Sequence, residues 1–384
     1  MIHKIEAYNF KSLHGEDKEN SFSITLDKFT CLIGLNGSGK STILQFIDFI
    51  CCIIKGDVVK WLDDRGWQAT ELRYVGTVNG TANKQRNINF KISLIDDNNE
   101  ITWEAIYNRF LNRCVNELFS INNKVCLSLS KNTYSIEDEK PVEINFEYEG
   151  SIVSRIKDKL LPKPVKFVIE CFQHIKSLEL LSPHLLRKRS RGIPYDIGRG
   201  GESITAYIGS LGNSEIKRIE KEMTKLYPSK FQLLVDSLKA GWKRMMVVEH
   251  YKKDVILSDS RHVSDGFLRL LAIVAELNTR NSFIVLDELE NGLNPEVIEQ
   301  LIDLLVTSPM QILVTTHSPL ILNYLDDDIA IKGLQFIYRT NQGFTRSIPF
   351  FSIEENSRLL KSLGPGEVFL EVSLKNLQKQ LSSI

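Results

Sequence analysis

Eight consecutive residues, Gly34-Leu35-Asn36-Gly37-Ser38-Gly39-Lys40-Ser41, constrain the fold of this chain more than any other feature in it. They fit the pattern G-x-x-x-x-G-K-[ST], follow a β-type run (Phe29–Ile33) and open a helical one (Thr42–Ile54), the context that the pattern requires. Glycines let backbone N–H groups curl around phosphate oxygens at a positive helix N-terminus. On this reading Asn36, Gly37, Ser38, Gly39, Lys40, Ser41 and Thr42 hold the phosphates of a nucleotide. Lys40 reaches the β- and γ-phosphates as a point charge, and the Ser41 hydroxyl completes a Mg²⁺ shell.

A second signal supports the first. Phe283-Ile284-Val285-Leu286-Asp287-Glu288 is an apolar strand ending in two adjacent carboxylates. Alone it also reads as a solvated strand end. Beside a phosphate loop, Asp287 becomes the Mg²⁺ ligand and Glu288 the group that orients or deprotonates an attacking water.

Around these motifs the chain changes pattern twice. Short β-type runs fill the N-terminal third: Ile2–Phe10, Ser21–Leu26, Phe29–Ile33, Glu71–Val78, Asn87–Ile95, Glu100–Tyr107, Lys124–Leu129 and Val142–Tyr148. Their apolar–polar alternation and Asn/Asp/Gly turns predict antiparallel sheet with one solvated face. Residues 151–254 read as a mostly helical insertion, with apolar residues at helical spacing over Ser151–Leu160 and Ser214–Leu226. The last third alternates helix and strand: Gly266–Leu277, Phe283–Asp287, Pro295–Val306, Gln311–Thr315, Pro319–Leu325 and Leu334–Tyr338. Its continuous apolar strands predict parallel sheet buried on both faces. The fold class is therefore α/β, with an N-terminal lobe over 1–150, the insertion over 151–254 and a C-terminal lobe over 255–384.

Two further motifs are ambiguous singly. Val263-Ser264-Asp265-Gly266-Phe267 starts an apolar helical run and suits a helix N-cap. Thr315-Thr316-His317-Ser318-Pro319 ends the strand after Asp287. In order, with Tyr8-Asn9-Phe10-Lys11-Ser12 near the start and Glu290-Asn291-Gly292-Leu293-Asn294-Pro295 after the acidic pair, the set resembles the ABC-type ATPases. More narrowly it resembles their soluble RecF/SMC/OLD branch, including the small ATP-binding proteins of anti-phage defence. Leu181–Arg187 and Gly200–Ile204 are similar to the linking region of those small proteins.

The resemblance implies an ATPase head using ATP and Mg²⁺. It implies that Ser264 and Gly266 form a signature motif contacting the γ-phosphate bound to another subunit, that Glu290–Pro295 crosses the dimer seam, and that His317 is a switch residue. A homodimer or higher homo-oligomer follows. Two departures stand out: Val263-Ser264-Asp265-Gly266 differs from the Leu-Ser-Gly-Gly of transporter domains, and the glutamine loop has only Gln68 and Gln85 as candidates.

Too few residues separate Lys40 from Ser264 for long coiled-coil arms. Leu363-Gly364-Pro365-Gly366-Glu367 resembles the junction where the OLD branch continues into a TOPRIM nuclease, and with so few residues after it the expectation is an ATPase without a built-in nuclease. The expectation is control of a separate effector, a nuclease or toxin; the alternative is a RecF-like DNA-binding repair protein. Composition bears on this choice. Lys and Arg number 48 against 48 Asp and Glu, so DNA contact needs a local patch. The densest is Arg187-Lys188-Arg189-Ser190-Arg191, which without interleaved aromatics reads as a solvated loop ahead of a DNA contact. No apolar stretch is long enough for a membrane span and no signal core opens the chain, pointing to the cytoplasm. The six cysteines include no C-x-x-C pair, against a zinc ribbon or redox motif. Cys51-Cys52 suits helix packing, and Asp326-Asp327-Asp328 suits a solvated helix end better than a metal site.

Overall fold

Alternating side chains in the N-terminal third do build a one-sided sheet, but the strands it uses are not all those the sequence suggests. A computed structural model describes residues 1–78, 80–179, 181–227, 230–252 and 254–382. The chain forms two units, Met1–Ile175 with Asp327–Ile384, and Lys176–Asp326.

In the first unit eight antiparallel strands lie in the order Val142–Glu143, Thr133–Ile136, Lys124–Ser130, Arg113–Ile121, Asn99–Asn108, Asn87–Asp96, Ile2–Tyr8 and Phe22–Thr25. Pairs such as Ile92↔Trp103 and Trp103↔Phe119 set the register of the buried face. Trp103 stacks on Phe119 with centroids 5.4 Å apart, and Phe172 of the helix Lys163–Gln173 meets its edge at 5.8 Å. From the helix Lys40–Lys55, Phe49 meets Tyr107 edge-on at 5.2 Å. Aromatic pairs of this geometry add about 0.5–1.5 kcal/mol beyond area burial. The Glu117 carboxyl group enters this core. Glu117 accepts hydrogen bonds from Ile152 N at 2.7 Å, Trp103 Nε1 at 3.1 Å and the Ser151 hydroxyl, so the carboxyl is buried but satisfied.

Phe29–Ile33 belongs to other sheet structure in the same unit. It pairs in parallel with Leu334–Arg339, which forms an antiparallel hairpin with Thr345–Pro349. All five residues of Phe29–Ile33 are buried. The following helix has its apolar side chains inside, Cys51 and Cys52 among them, and ends at Gly56, whose φ of 71° suits a left-handed cap.

The second unit pairs Phe283–Leu286 in parallel with Gln311–Thr315, again fully buried strands. Helices Asp265–Leu277 and Pro295–Val306 cover their apolar residues. An antiparallel sheet joins Ser190–Arg191, Trp242–His250, Lys230–Ser237 and Val255–Asp259.

Several sequence expectations change. Glu71–Val78 is a 3₁₀ turn over Ala69–Leu72 with only Thr77–Val78 extended, because the Glu71 side chain caps the turn, accepting from Gln68 N. Val142–Tyr148 shortens to Val142–Glu143, and Arg113–Ile121 was missed. Ser151–Leu160 forms two 3₁₀ turns, Ile152–Ser154 and Asp158–Leu160; the Ser151 hydroxyl and the Ile152 amide both donate to Glu117. The insertion is helical over Lys163–Gln173, Pro183–Leu186, Ile204–Ile208 and Asn213–Leu226. Lys230–Ser237 and Trp242–His250 are strands instead, because register pairing satisfies their backbones. Asp327 and Asp328 open the helix Asp327–Gly333 rather than close the preceding one, where carboxylates suit the positive helix end. Among the described residues no helix is long and apolar enough to cross a membrane.

Candidate functional site

In the first unit the phosphate loop is shaped by its glycines. Gly37 has φ 77° and Gly39 φ 112°, conformations costly for an L side chain. A Cβ at Gly34 would lie 2.2 Å from the Ile337 carbonyl oxygen, and one at Gly39 would lie 2.2 Å from Thr345 Oγ1. Lys40 is buried and its Nζ donates to Gly34 O at 2.9 Å and Leu35 O at 3.2 Å. The ammonium is thus folded into its own loop. The helix Lys40–Lys55 begins on Gly39 with no side-chain cap and no acidic residue in its first turn. Its start therefore keeps its partial positive charge. Ser38 Oγ is buried with no hydrogen-bond partner. An uncapped helix start, a buried lysine and an orphaned hydroxyl within four residues fit a polyphosphate. Asn36 and Gly37 form the exposed tip; Ser41 and Thr42 begin the helix.

The Tyr8–Ser12 motif supports this loop. Lys11 Nζ donates to Gln45 Oε1 at 2.9 Å and lies 3.4 Å above the Trp67 ring. Ser12 Oγ lies 2.8 Å from Thr345 Oγ1. Of the glutamine-loop candidates, Gln85 Nε2 donates to the Tyr8 hydroxyl at 2.8 Å, and Gln68 meets Glu71 through its backbone, its N donating to Glu71 Oε2 at 2.6 Å.

In the second unit four separate sequence motifs converge. Asp287 and Glu288 follow the buried strand, and Glu288 has φ 47°, an unusual conformation for a residue with a side chain. Thr315, fully buried at the end of the neighbouring strand, holds it there. Its Oγ1 accepts from Glu288 N at 2.8 Å and donates to Asp287 Oδ1. The Glu288 carboxylate is exposed and accepts from Asn291 Nδ2 at 3.3 Å. Glu290 accepts from His317 N at 2.8 Å and Thr316 Oγ1 at 2.9 Å, so the turn after the acidic pair is tied to the His317 segment. Arg269 Nη2 donates to Asp287 O and Glu288 O, both at 2.8 Å. Burial holds that guanidinium below its ordinary pKa, while the charges of Glu288, Asp287 and Glu290 act the other way.

The signature-like helix joins the same cluster at its start. A Cβ at Gly266 would lie 2.7 Å from Gly292 O, so only glycine lets the two turns approach. Ser264 Oγ accepts from Phe267 N at 3.3 Å, making it the N-cap. The negative charge of Asp265 in that first turn is countered by Arg187, which pairs with it and also donates to Val263 O at 2.8 Å. Arg187 is thereby drawn out of the basic cluster read from the sequence, since its guanidinium brackets Ser264. Lys188, Arg189 and Arg191 stay exposed.

The sequence reading missed Thr315, Arg269 and Arg187 in these roles. Thr315 and Arg187 lie inside quoted motifs and Arg269 in the helical run Gly266–Leu277, but nothing in their spacing marks a hydroxyl or guanidinium that bonds backbone from another element. The described cysteines form no disulfide, and five of the six are buried. Among the described residues no group of three or more His, Cys, Asp or Glu gathers as a metal site.

A family model described as "AAA domain, putative AbiEii toxin, Type IV TA system" matches residues 29–122 and 199–323. None of the curated proteins matches the chain. Among solved structures, the chain is similar to an SmcHead bound to the C-winged helix domain of ScpA, with 16% identity, TM-score 0.54, and coverage of 93% of this chain and 99% of that one. It is similar to the SMC head domain of Thermotoga maritima, with 15% identity, TM-score 0.50, and coverage of 91% and 98%. The Smc head domain with an extended coiled coil bound to the C-terminal domain of ScpA, from Pyrococcus furiosus, gives 15%, 0.53, 94% and 98%.

Proposed function

Because this chain belongs to that AAA family and has the fold of an ABC-type ATPase head of the RecF/SMC-like branch, we propose that it hydrolyses ATP with Mg²⁺ and couples the cycle to head-to-tail dimerisation. The observation that carries the reading is the wiring of the second unit. Gly266 abuts Gly292, Arg269 bonds the backbone of Asp287 and Glu288, and Glu290 bonds Thr316 and His317. A change at any one motif reaches the others through one or two hydrogen bonds.

Lys40, the amides of residues 36–42 and the Ser41 hydroxyl would hold the nucleotide, with Ser41 and Asp287 as Mg²⁺ ligands. Mg²⁺, when bound, supplies charge neutralisation on the phosphate oxygens. Glu288 is exposed and aimed by Thr315, as a group that accepts a proton from water must be. His317, fixed through its backbone, would sense the terminal phosphate. Ser264 and Gly266 would meet the nucleotide of a second copy, giving a two-fold arrangement. Catalysis would be positioning and charge stabilisation, with no covalent intermediate.

The head would govern a separate effector, a nuclease or toxin, in a defence-type complex. The family description names a toxin system, and two of the similar SMC heads are bound to ScpA domains. The Arg187–Asp265 pair weighs against the RecF-like alternative, because it removes one cation from the densest basic cluster in the sequence.

Steady-state ATPase assays and size-exclusion chromatography test the catalytic reading. Glu288→Gln should bind ATP, lose turnover and accumulate as dimer, whereas Lys40→Ala should lose binding by calorimetry. A Glu288→Gln protein that hydrolyses ATP at the parental rate overturns the assignment of the base.

A further inference from the structure

The family match ends at residue 323, yet the loop it includes is held by residues beyond that point. Arg339 Nε donates to Gly37 O at 2.9 Å, and its Nη1 donates to Gly343 O at 2.5 Å. Thr345 Oγ1 lies 2.9 Å from Ser38 O and 2.8 Å from Ser12 Oγ. With one hydroxyl proton given to the carbonyl, it accepts from Ser12. Thr345 Oγ1 also occupies the place of a Cβ at Gly39, and Ile337 O that of a Cβ at Gly34. The hairpin Leu334–Pro349 therefore touches Gly34, Gly37, Ser38 and Gly39.

We propose that this hairpin is a clamp that presets the phosphate loop for its ligand, with Arg339 and Thr345 as positioning residues. This rests on reading the loop as a nucleotide-phosphate site. In a planar trans peptide the C=O and the following N–H point in opposite directions. Holding Ser38 O on Thr345 therefore aims the Gly39 N–H away from the hairpin, and holding Gly37 O on Arg339 does the same for the next amide back. That amide, Ser38 N, meets Leu35 O at 3.1 Å, closing the loop on itself.

The clamp is itself anchored. Arg346 donates to His14 O at 2.6 Å and Asn20 O at 2.8 Å, and the Tyr74 hydroxyl donates to Gln342 O at 2.8 Å. A loop fixed in this way need not be ordered when its ligand binds, and that saving appears as affinity.

The test is calorimetric titration of MgATP and MgADP into the full chain and into Arg339→Ala, Thr345→Val and Thr345→Ser. Hydrogen exchange is followed in parallel at residues 37–40 without ligand. Loss of a charge-assisted or buried hydrogen bond corresponds to a fall in affinity of about tenfold. Arg339→Ala and Thr345→Val should each show that fall with faster exchange at residues 37–40. Thr345→Ser, which keeps the hydroxyl, should restore both. Parental affinity in Arg339→Ala and Thr345→Val overturns the proposal. So does a serine variant as weak as the valine one, because the methyl group rather than the hydrogen bond would then matter. If the parental chain binds neither nucleotide, the reading of the loop fails first and the clamp falls with it.

Discussion

Thr315→Val isolates what one buried hydroxyl does for the acidic pair. Valine matches threonine in shape but can neither accept from Glu288 N nor donate to Asp287 Oδ1, the two bonds of the parental hydroxyl. Those bonds oppose the strain of Glu288 at φ 47°. A left-handed conformation costs about 1–2 kcal/mol for a residue with a Cβ. A hydrogen bond to a carboxylate contributes about 1.5–3 kcal/mol, and an amide left unpaired costs about 1–3 kcal/mol. In the parental chain the bonds outweigh the strain. In the variant the strain is unopposed, so Glu288 relaxes toward negative φ and its carboxylate moves. A displacement on the order of 1 Å costs roughly 100-fold in rate. Turnover measured by phosphate release should fall by about that factor, while affinity for ATP without Mg²⁺, which depends on the loop around Lys40 and not on Asp287, stays at the parental value. The melting temperature should drop by roughly 5 °C. Thr315→Ser should recover the turnover. A valine variant that turns over at the parental rate, or a serine variant as slow as valine, refutes the reasoning.

Two further outcomes follow from buried contacts. Gly266→Ala would press a Cβ against Gly292 O, 2.7 Å away. Overpacking of about 1–3 kcal/mol outweighs the gain of about 1 kcal/mol in helix propensity. ATP-dependent dimerisation by light scattering should fail while ATP binding persists, and normal dimerisation would count against that contact. Glu117 is pushed by burial from 4.5 to about 7, even though its bonds from Ser151, Ile152 and Trp103 pull the other way. The folded state thus holds a proton that the unfolded chain has released between those values. Stability contributed by the protonated carboxyl is intact below about pH 4.5 and lost as pH rises toward 7, by roughly 3 kcal/mol. Denaturant unfolding across that range should show the slope, and Glu117→Gln should flatten it; an unchanged slope would place the titration elsewhere.

Much of the fold was legible because it rests on local chemistry. Gly34–Ser41 needs its strand and helix, Pro295–Val306 and Gln311–Thr315 emerged with the predicted bounds, and Asp287-Glu288 marked the end of a buried strand. The expected strand over Glu71–Val78 failed because the Glu71 cap on Gln68 N outcompetes β propensity. The strands over 230–250 were hidden because their partners lie across a turn, and Arg113–Ile121 breaks its alternation at a bulge between Ile106 and Tyr107 of its neighbour.

The sequence by itself determined which residues are chemically able to hold phosphate, metal and water, since glycine, lysine and carboxylate are required by type and by nearest spacing. Tertiary structure alone decided what aims them. Thr315 sets the backbone of Glu288, Arg269 ties the acidic pair to the signature-like helix, Arg187 leaves the basic cluster for Asp265, and Thr345 carries Ser38. Each of these joins a side chain to a residue far along the chain. Composition and periodicity record only which residues stand near one another in sequence, whereas a hydrogen bond depends on which atoms the fold brings within 3 Å.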